Sequence, residues 1–338
     1  MLRIHIIMIL HLKINTPKNI LKDYCTQTNA FINKKDSFIQ IINSSSYKAA
    51  HDELNPFVIE AFVFDSDIQL ASLKYSAHKQ INIDQLTIGK NSSQFPIIMG
   101  PCSVESETQL KEVANFLIHN KLHCIRAGAY KPRTSPYSFQ GLETKGLEFL
   151  KSTAKTNNLI TFSETKDASQ IKELIDSVDV VQVGTKAMYD QGILKALGKS
   201  DCTVLLKRGF GSTIQEFVQA AEFILCEGNE NVILCERGIR TFENKTRFTL
   251  DLCGVAWLKH NTNLPIVIDP SHALGSCYGI ADLSKAAIAM GVDGLLIETH
   301  PNPKKAQSDA EQQLNFDQAK ELLEQVQPYL KIQKRTLY

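Results

Sequence analysis

Thr203-Val-Leu-Leu-Lys-Arg-Gly-Phe-Gly-Ser-Thr-Ile-Gln-Glu-Phe-Val-Gln-Ala-Ala-Glu-Phe-Ile-Leu-Cys-Glu-Gly-Asn-Glu-Asn-Val-Ile-Leu-Cys-Glu-Arg237 contains one complete structural unit. An apolar run, 203–208, ends in two cations, and a glycine-rich turn follows it. Residues 213–226 then place Phe217, Ala220, Ala221 and Ile224 on one helical face, before a second apolar run, 232–237, again ends in charge. Strand-like runs joined by an amphipathic helix are the signature of parallel strands with a crossover connection.

The same alternation extends in both directions. Strand candidates fall at 95–102, 124–130, 159–164, 178–185, 203–208, 232–237, 265–272 and 294–299, with helical patterns between and after them, such as 316–330 with Ala319, Leu322, Leu323 and Val326 on one face. Eight βα units in one stretch match a (β/α)₈ barrel, for which about 250 residues is usual. An open doubly wound sheet is the competing architecture, but it would gather functional residues at a single switch point. Here polar or charged residues end nearly every strand, as a barrel rim requires.

Residues 1–66 read differently. An apolar run (4–12), a helix (17–26), a hairpin (31–42, Asp36 near its turn), a second helix (47–54) and a strand (57–64) give a βαββαβ order, which suggests a small ferredoxin-like domain. Residues 67–94, with Ile81, Ile83 and Leu86, read as a linker or a hairpin laid across the barrel, and 95–338 as the barrel itself.

With 338 residues and 43% apolar content the chain can bury a full core. A net charge of +1 gives no global attraction to nucleic acid or membrane, so neither is an expected partner, and any basic site must be a local cluster. The apolar start is interrupted by His5 and His11 and is followed by no small-residue cleavage site, so a cytoplasmic protein is expected. The eight cysteines lack paired zinc-ribbon spacing and read mostly as small buried hydrophobes.

Cys102 differs, because it follows Gly100-Pro101 at a strand end. With His272, Glu298 and Asp309, at or just beyond the ends of two further runs, it forms a thiolate, imidazole and carboxylate set that suits Mn, Fe, Co or Zn better than Mg or Ca. Arg126, Lys131, Arg133, Lys186, Lys207, Arg208 and Arg237 would share the same rim. In a nearly neutral chain that focusing fits a substrate with several negative charges. Glu164, ending the third strand, could order a water or balance charge. Gly209-Phe-Gly-Ser-Thr213 could bind phosphate through backbone amides, or could simply open the helix.

Gly100-Pro-Cys-Ser-Val-Glu105, Ala129-Tyr-Lys-Pro-Arg-Thr-Ser-Pro-Tyr-Ser-Phe-Gln-Gly141, Leu205-Leu-Lys-Arg-Gly-Phe210, Leu234-Cys-Glu-Arg-Gly-Ile-Arg-Thr-Phe242 and Asp269-Pro-Ser-His272 resemble the signatures of the 3-deoxy-D-arabino-heptulosonate 7-phosphate (DAHP) synthases. The resemblance covers residues 95 to about 315. It implies a metal-dependent condensation of phosphoenolpyruvate with erythrose 4-phosphate, the first step of the shikimate pathway to chorismate and the aromatic amino acids. It further implies Cys102, His272, Glu298 and Asp309 as ligands of one divalent ion, Mn²⁺ foremost. Arg126, Lys131, Lys186 and its neighbours Gly184 and Thr185, Lys207 and Arg237 would hold phosphoenolpyruvate. Arg133 and Thr134, with Pro132 setting the loop, would hold the aldose phosphate, and Lys131 would donate a proton. Many relatives have arginine where this chain has Lys186, which keeps the charge and loses the bidentate fork.

The related 3-deoxy-D-manno-octulosonate 8-phosphate (KDO8P) synthases use arabinose 5-phosphate and resemble Lys-Ala-Asn-Arg where this chain has Lys131-Pro-Arg-Thr134. A non-catalytic metabolite sensor on the same barrel is the third reading. Ferredoxin-like domains on similar synthases bind aromatic amino acids, so such an effector is expected here, as is a homo-oligomer, tetramer or dimer.

Overall fold

A computed structural model describes residues 7–43, 52–131 and 135–338. The N-terminal strands are β1 (Ile7–Lys13), β2 (Phe31–Lys34), β3 (Phe38–Ile42) and β4 (Val58–Phe64), with helix α1 (Lys18–Thr28) between the first two. They form an antiparallel sheet in the order β2-β3-β1-β4, the ferredoxin-like arrangement. Alternation along β1 sends Met8, Leu10 and Leu12 towards Leu21 and Tyr24 of α1, and Ile9 towards the rest of the molecule. The predicted helix at 47–54 lies largely outside the described residues. Its described end, residues 52–54, belongs to a 3-10 turn, Asp52–Phe57.

A hairpin, β5 (Gln80–Ile83) and β6 (Leu86–Gly89), precedes the short β7 (Gln94–Phe95). The barrel strands follow: β8 (Ile97–Gly100), β9 (Cys124–Arg126), β10 (Ile160–Thr165), β11 (Val180–Val183), β12 (Thr203–Lys207), β13 (Val232–Glu236), β14 (Ile266–Ile268) and β15 (Gly294–Glu298). All neighbours are parallel, and β15 pairs with β8 to close the ring, as expected of a (β/α)₈ barrel.

Period-two alternation positions everything that matters for the site. Ile98, Cys124, Ile160, Phe162, Val180, Leu205, Ile233, Cys235, Val267 and Leu296 point inward and pack together, and Ile81, Ile83, Leu86 and Ile88 of the hairpin join them as a plug at the N-terminal end. Burying each of these four contributes about 1.5–3 kcal/mol. Two residues further along, the inward columns change character: they end in Arg126, Glu164, Lys207, Arg237, Asp269 and Glu298. The outward residues, including Val204, Leu206, Val232 and Leu234, pack on the helices.

The helix between β12 and β13, α2 (Ile214–Cys226), shows why the sequence folds so locally. Thr213 accepts the Glu216 N–H at 3.1 Å and the Glu216 carboxylate accepts the Thr213 N–H at 2.7 Å, while Phe217, Val218, Ala220, Ala221, Ile224 and Leu225 are buried. The capping box engages the Thr213 N–H with the Glu216 carboxylate, so the turn Gly209–Thr213 opens a helix that is already capped. Near the other end of the helix, Glu222 accepts N–H groups of Gln69, Leu70 and Ala71 at 2.7, 3.2 and 2.9 Å, tying the connecting segment to the barrel. Among the described residues no helix is long and apolar enough to cross a membrane.

Candidate active site at the barrel rim

The short helix α3 (Pro270–Leu274) starts directly after β14 and carries His272 into the rim. Asp269, its N-cap, is fully buried and takes three hydrogen bonds or ion pairs: His272 N at 2.9 Å, His272 Nδ1 at 2.7 Å and Lys207 Nζ at 2.6 Å. A carboxylate on Nδ1 fixes the ring so that Nε2 faces the site as a lone-pair donor. Burial opposes the charge on Asp269, yet His272 and Lys207 hold its carboxyl well below the usual range.

His272 Nε2 lies 3.5 Å from Glu298 Oε1 and 3.9 Å from Asp309 Oδ2. Cys102 Sγ lies 3.2 Å from Asp309 Oδ2, and the donor atoms of Cys102, Glu298 and Asp309 all fall within 4.8 Å of one another. For bonds of about 2.1 Å, donors on a tetrahedral shell stand about 3.4 Å apart, so these spacings fit one small ion. Burial, with Glu298 and Asp309 adding to it, pushes the Cys102 thiol up to about 12. The thiol proton therefore lies between sulfur and Asp309, where a divalent cation would make a thiolate the stable form.

Glu298 is anchored from behind: Arg126 Nη1 donates to Oε1 at 2.5 Å and Gln312 Nε2 to Oε2 at 2.6 Å. Arg126 is wholly buried, and among the described residues its Nε and Nη2 have no hydrogen-bond partner, although Nη2 stands 3.5 Å from Glu164. Lys131 Nζ donates to the Cys102 carbonyl at 3.0 Å and lies 3.7 Å from Glu164 Oε2. Burial works against its charge, but the Cys102 sulfur and Glu164 outweigh that and push the ammonium up. Glu164 shifts the opposite way, since Lys131, Arg126 and Lys207 overcome its burial. Gly184 makes room for this carboxylate: a Cβ on it would meet Glu164 Oε1 at 2.0 Å, so a larger residue there would displace the Glu164 side chain.

Lys131, Glu164, Thr185, Lys186, Lys207, Arg237, His272 and Asp309 line a cleft of about 480 Å³ together with Phe210, Arg240, Arg247 and Phe248. Arg237 makes no ion pair among the described residues. Its guanidinium lies 4.1 Å above the Phe248 ring, and Arg240 lies 4.4 Å above Phe210. A guanidinium held by its face keeps its N–H edge for an anion.

The structure thus brings together Cys102, Arg126, Lys131, Glu164, Gly184, Thr185, Lys186, Lys207, Arg237, His272, Glu298 and Asp309 at one rim. Pro132, Arg133 and Thr134 lie outside the described residues. Arg208 is a correction. It follows Lys207 in sequence but points outward, where it pairs with Glu236 and Asp251 at 2.8 Å each, so it is no part of the cation cleft. Asp269, Arg240, Arg247 and Phe248 were given no role by the sequence reading. Asp269 had a local signal, an aspartate three residues before histidine at a helix start. The other three come from the irregular loop 238–250.

The DAHP synthetase I family model matches residues 72–335. The chain is similar to the phospho-2-dehydro-3-deoxyheptonate aldolase of Thermotoga maritima, 44% identical over 246 residues, covering 73% of this chain and 72% of that protein. It is also similar to the 2-dehydro-3-deoxyphosphooctonate aldolase of Francisella tularensis subsp. holarctica, 30% identical over 267 residues, covering 73% and 96%. A crystal structure of the Thermotoga maritima DAHP synthase superposes with a TM-score of 0.80 at 35% identity, covering 99% of this chain and 100% of that one.

Proposed function

This chain belongs to the DAHP synthetase I family, and we propose that it condenses phosphoenolpyruvate with D-erythrose 4-phosphate and water, giving 3-deoxy-D-arabino-heptulosonate 7-phosphate and phosphate. The observation that carries this reading is the junction at one rim of a Cys102, His272, Glu298 and Asp309 donor set with a cleft lined by Lys131, Lys186, Lys207 and Arg237.

The four donors would hold a divalent ion, Mn²⁺ in the first place, with Fe²⁺, Co²⁺ or Zn²⁺ fitting the same thiolate, imidazole and carboxylate chemistry. When bound, such an ion would supply Lewis-acid polarisation of the aldehyde oxygen. Lys207, Arg237 and Lys186, with Arg126 and Lys131 at the floor, hold the phosphate and carboxylate of phosphoenolpyruvate. Arg133 and Thr134 take the aldose phosphate, an assignment that rests on their motif.

C3 of the enol attacks the aldehyde carbon and the carbonyl π pair goes to oxygen. Lys131, kept protonated beside Glu164, gives that oxygen its proton. The C2=C3 pair forms the new carbon–carbon bond and leaves C2 electron-poor. Water oriented by the ionised Glu164 adds there, giving up one proton that restores Lys131, and the C2–O bond pair then departs with phosphate, which takes the remaining hydroxyl proton as C2 becomes the ketone. Two mutually repelling anions are held in attack geometry by cations fixed before substrate arrives, which is orientation and electrostatic preorganisation.

Relatives acting on the phosphooctonate give the second reading, with arabinose 5-phosphate as acceptor. The test is product identification by mass spectrometry after incubating the protein with phosphoenolpyruvate and each sugar in turn. Heptulosonate from erythrose 4-phosphate is the expected product. Octulosonate alone would transfer the chain to the second reading, and no consumption with either sugar would refute both in favour of a sensor.

For the N-terminal sheet we propose control by an aromatic amino acid. Contact of the sheet with the barrel through the Lys35–Glu230 pair at 2.5 Å and the Asn33 side-chain N–H to the Cys226 carbonyl at 3.2 Å, and the His11 to Tyr75 hydrogen bond of 2.9 Å to the connecting segment, support a route. Removing residues 1–66 is expected to keep turnover and abolish inhibition; inhibition that persists would refute the assignment.

A further inference from the structure

At the opposite end of the barrel, a second cleft of about 710 Å³ opens between the connecting segment, the turn after β6, the end of the helix Leu252–Asn261, the turn after the helix Ile280–Met290, and residues 333–335. Lys90, Lys259, Lys334 and Arg335 line it, with His78 and His260 beside them. One carboxylate, Asp293, faces these four permanent cations, and it is already engaged by Arg335 at 3.1 Å and by the Ile266 N–H at 2.9 Å. The cleft therefore carries an excess of three positive charges in a chain whose net charge is +1.

The crowding is built into the backbone. Gly291, at φ +78°, admits the Lys259 ammonium, which would stand 3.2 Å from a Cβ placed there and which donates to the Met290 carbonyl at the end of its helix. Arg335 is clamped by the Val292 and Gly89 carbonyls at 3.0 and 3.3 Å, so its charge is fixed at the wall. Lys90 and Lys334 form no ion pair among the described residues. Burial lowers Lys259 and His78, and although Asp293 pulls both upward, Lys90 lowers both, with Arg335 acting on Lys259 and with Lys259 and His260 acting on His78. Four cations held in one concavity against a single carboxylate concentrate anions there.

We propose that this cleft is a second anion site, remote from the catalytic rim, for a small molecule carrying two to three negative charges on phosphate groups. Its volume lies within the usual span of about 300–1,000 Å³ for small-molecule sites. Serine and asparagine side chains at Ser93 and Asn91 add neutral donors. Because the walls come from the connecting segment as well as the barrel, an occupant bridges the two.

Inorganic pyrophosphate is the probe. The full chain carrying Lys207→Ala and Arg237→Ala, which weakens anion binding at the rim, is titrated by calorimetry. One saturable site is expected, and adding Lys90→Glu and Lys334→Glu should weaken it at least about tenfold, as loss of two charge-assisted contacts requires. Both lysines are exposed, and an unchanged melting temperature checks that the fold is kept. Absence of saturable binding, or binding unaffected by the two charge reversals, overturns the proposal. So does a change in oligomer size on charge reversal without pyrophosphate binding, which would make the cleft a contact between copies of this chain.

Discussion

Replacing Asp269 by asparagine removes one charge from a position shared by a substrate-facing lysine and a metal-facing histidine. Its carboxylate is fully buried and reaches Lys207 Nζ at 2.6 Å and His272 Nδ1 at 2.7 Å. Breaking a buried pair from one side costs about 3–5 kcal/mol, and asparagine keeps one acceptor, so the lower end, about 3 kcal/mol, is expected. For a chain of 338 residues that corresponds to a loss of about 4 °C in melting temperature. Carboxylates behind a ligating histidine are worth about 10- to 100-fold in metal affinity. Titrating chelated protein with Co²⁺ and following the thiolate-to-cobalt absorption reads that affinity directly. Cobalt binding as tight as in the unaltered chain, with an unaltered melting curve, would refute the coupling of Lys207 and His272 through Asp269.

Phe248→Ala removes the face that supports Arg237 at 4.1 Å; a loss of about 0.5–2 kcal/mol should raise KM for phosphoenolpyruvate roughly two- to thirtyfold with less effect on kcat, and an unchanged KM contradicts it. Arg208→Met leaves Glu236 and Asp251 unpaired and should destabilise the fold by about 3–5 kcal/mol with KM unchanged in the folded fraction. A KM defect without loss of stability would return Arg208 to the cleft. Burial pushes the Glu222 carboxyl up to about 7 although three backbone N–H groups donate to it. The folded chain then keeps a proton that the unfolded chain has released, so stability falls as pH rises from about 4.5 to 7 and levels off above, by about 3 kcal/mol at most. Urea unfolding between pH 5 and 8 should show that slope in the native chain and lose it in Glu222→Gln; identical slopes contradict the assignment.

The barrel was legible because its strands are short apolar runs ending in charge, and the plug and the rim both follow from one alternation. The same alternation explains the misreading of Arg208. Adjacent residues on a strand face opposite sides, so Lys207 enters the rim and Arg208 meets Glu236 on the outside. Cys102, His272, Glu298 and Asp309 were recognisable by residue type, while their convergence depends on β15 closing against β8, a contact between residues nearly 200 positions apart. Arg240, Arg247 and Phe248 belong to a loop without periodicity. Its shape is set by single pairings such as Ile239 with Thr249 and Phe248 N–H with the Ala273 carbonyl, which leave no pattern in sequence.

The central claim is that one metal shell and one cation cleft act together on phosphoenolpyruvate. Consumption of phosphoenolpyruvate with erythrose 4-phosphate should disappear after chelation and return with added Mn²⁺ in the unaltered chain, while Cys102→Ala stays folded and regains at most about 1% of the rate, since it lacks a shell member. Turnover that survives exhaustive chelation, or full recovery in the Cys102→Ala chain, would contradict the account.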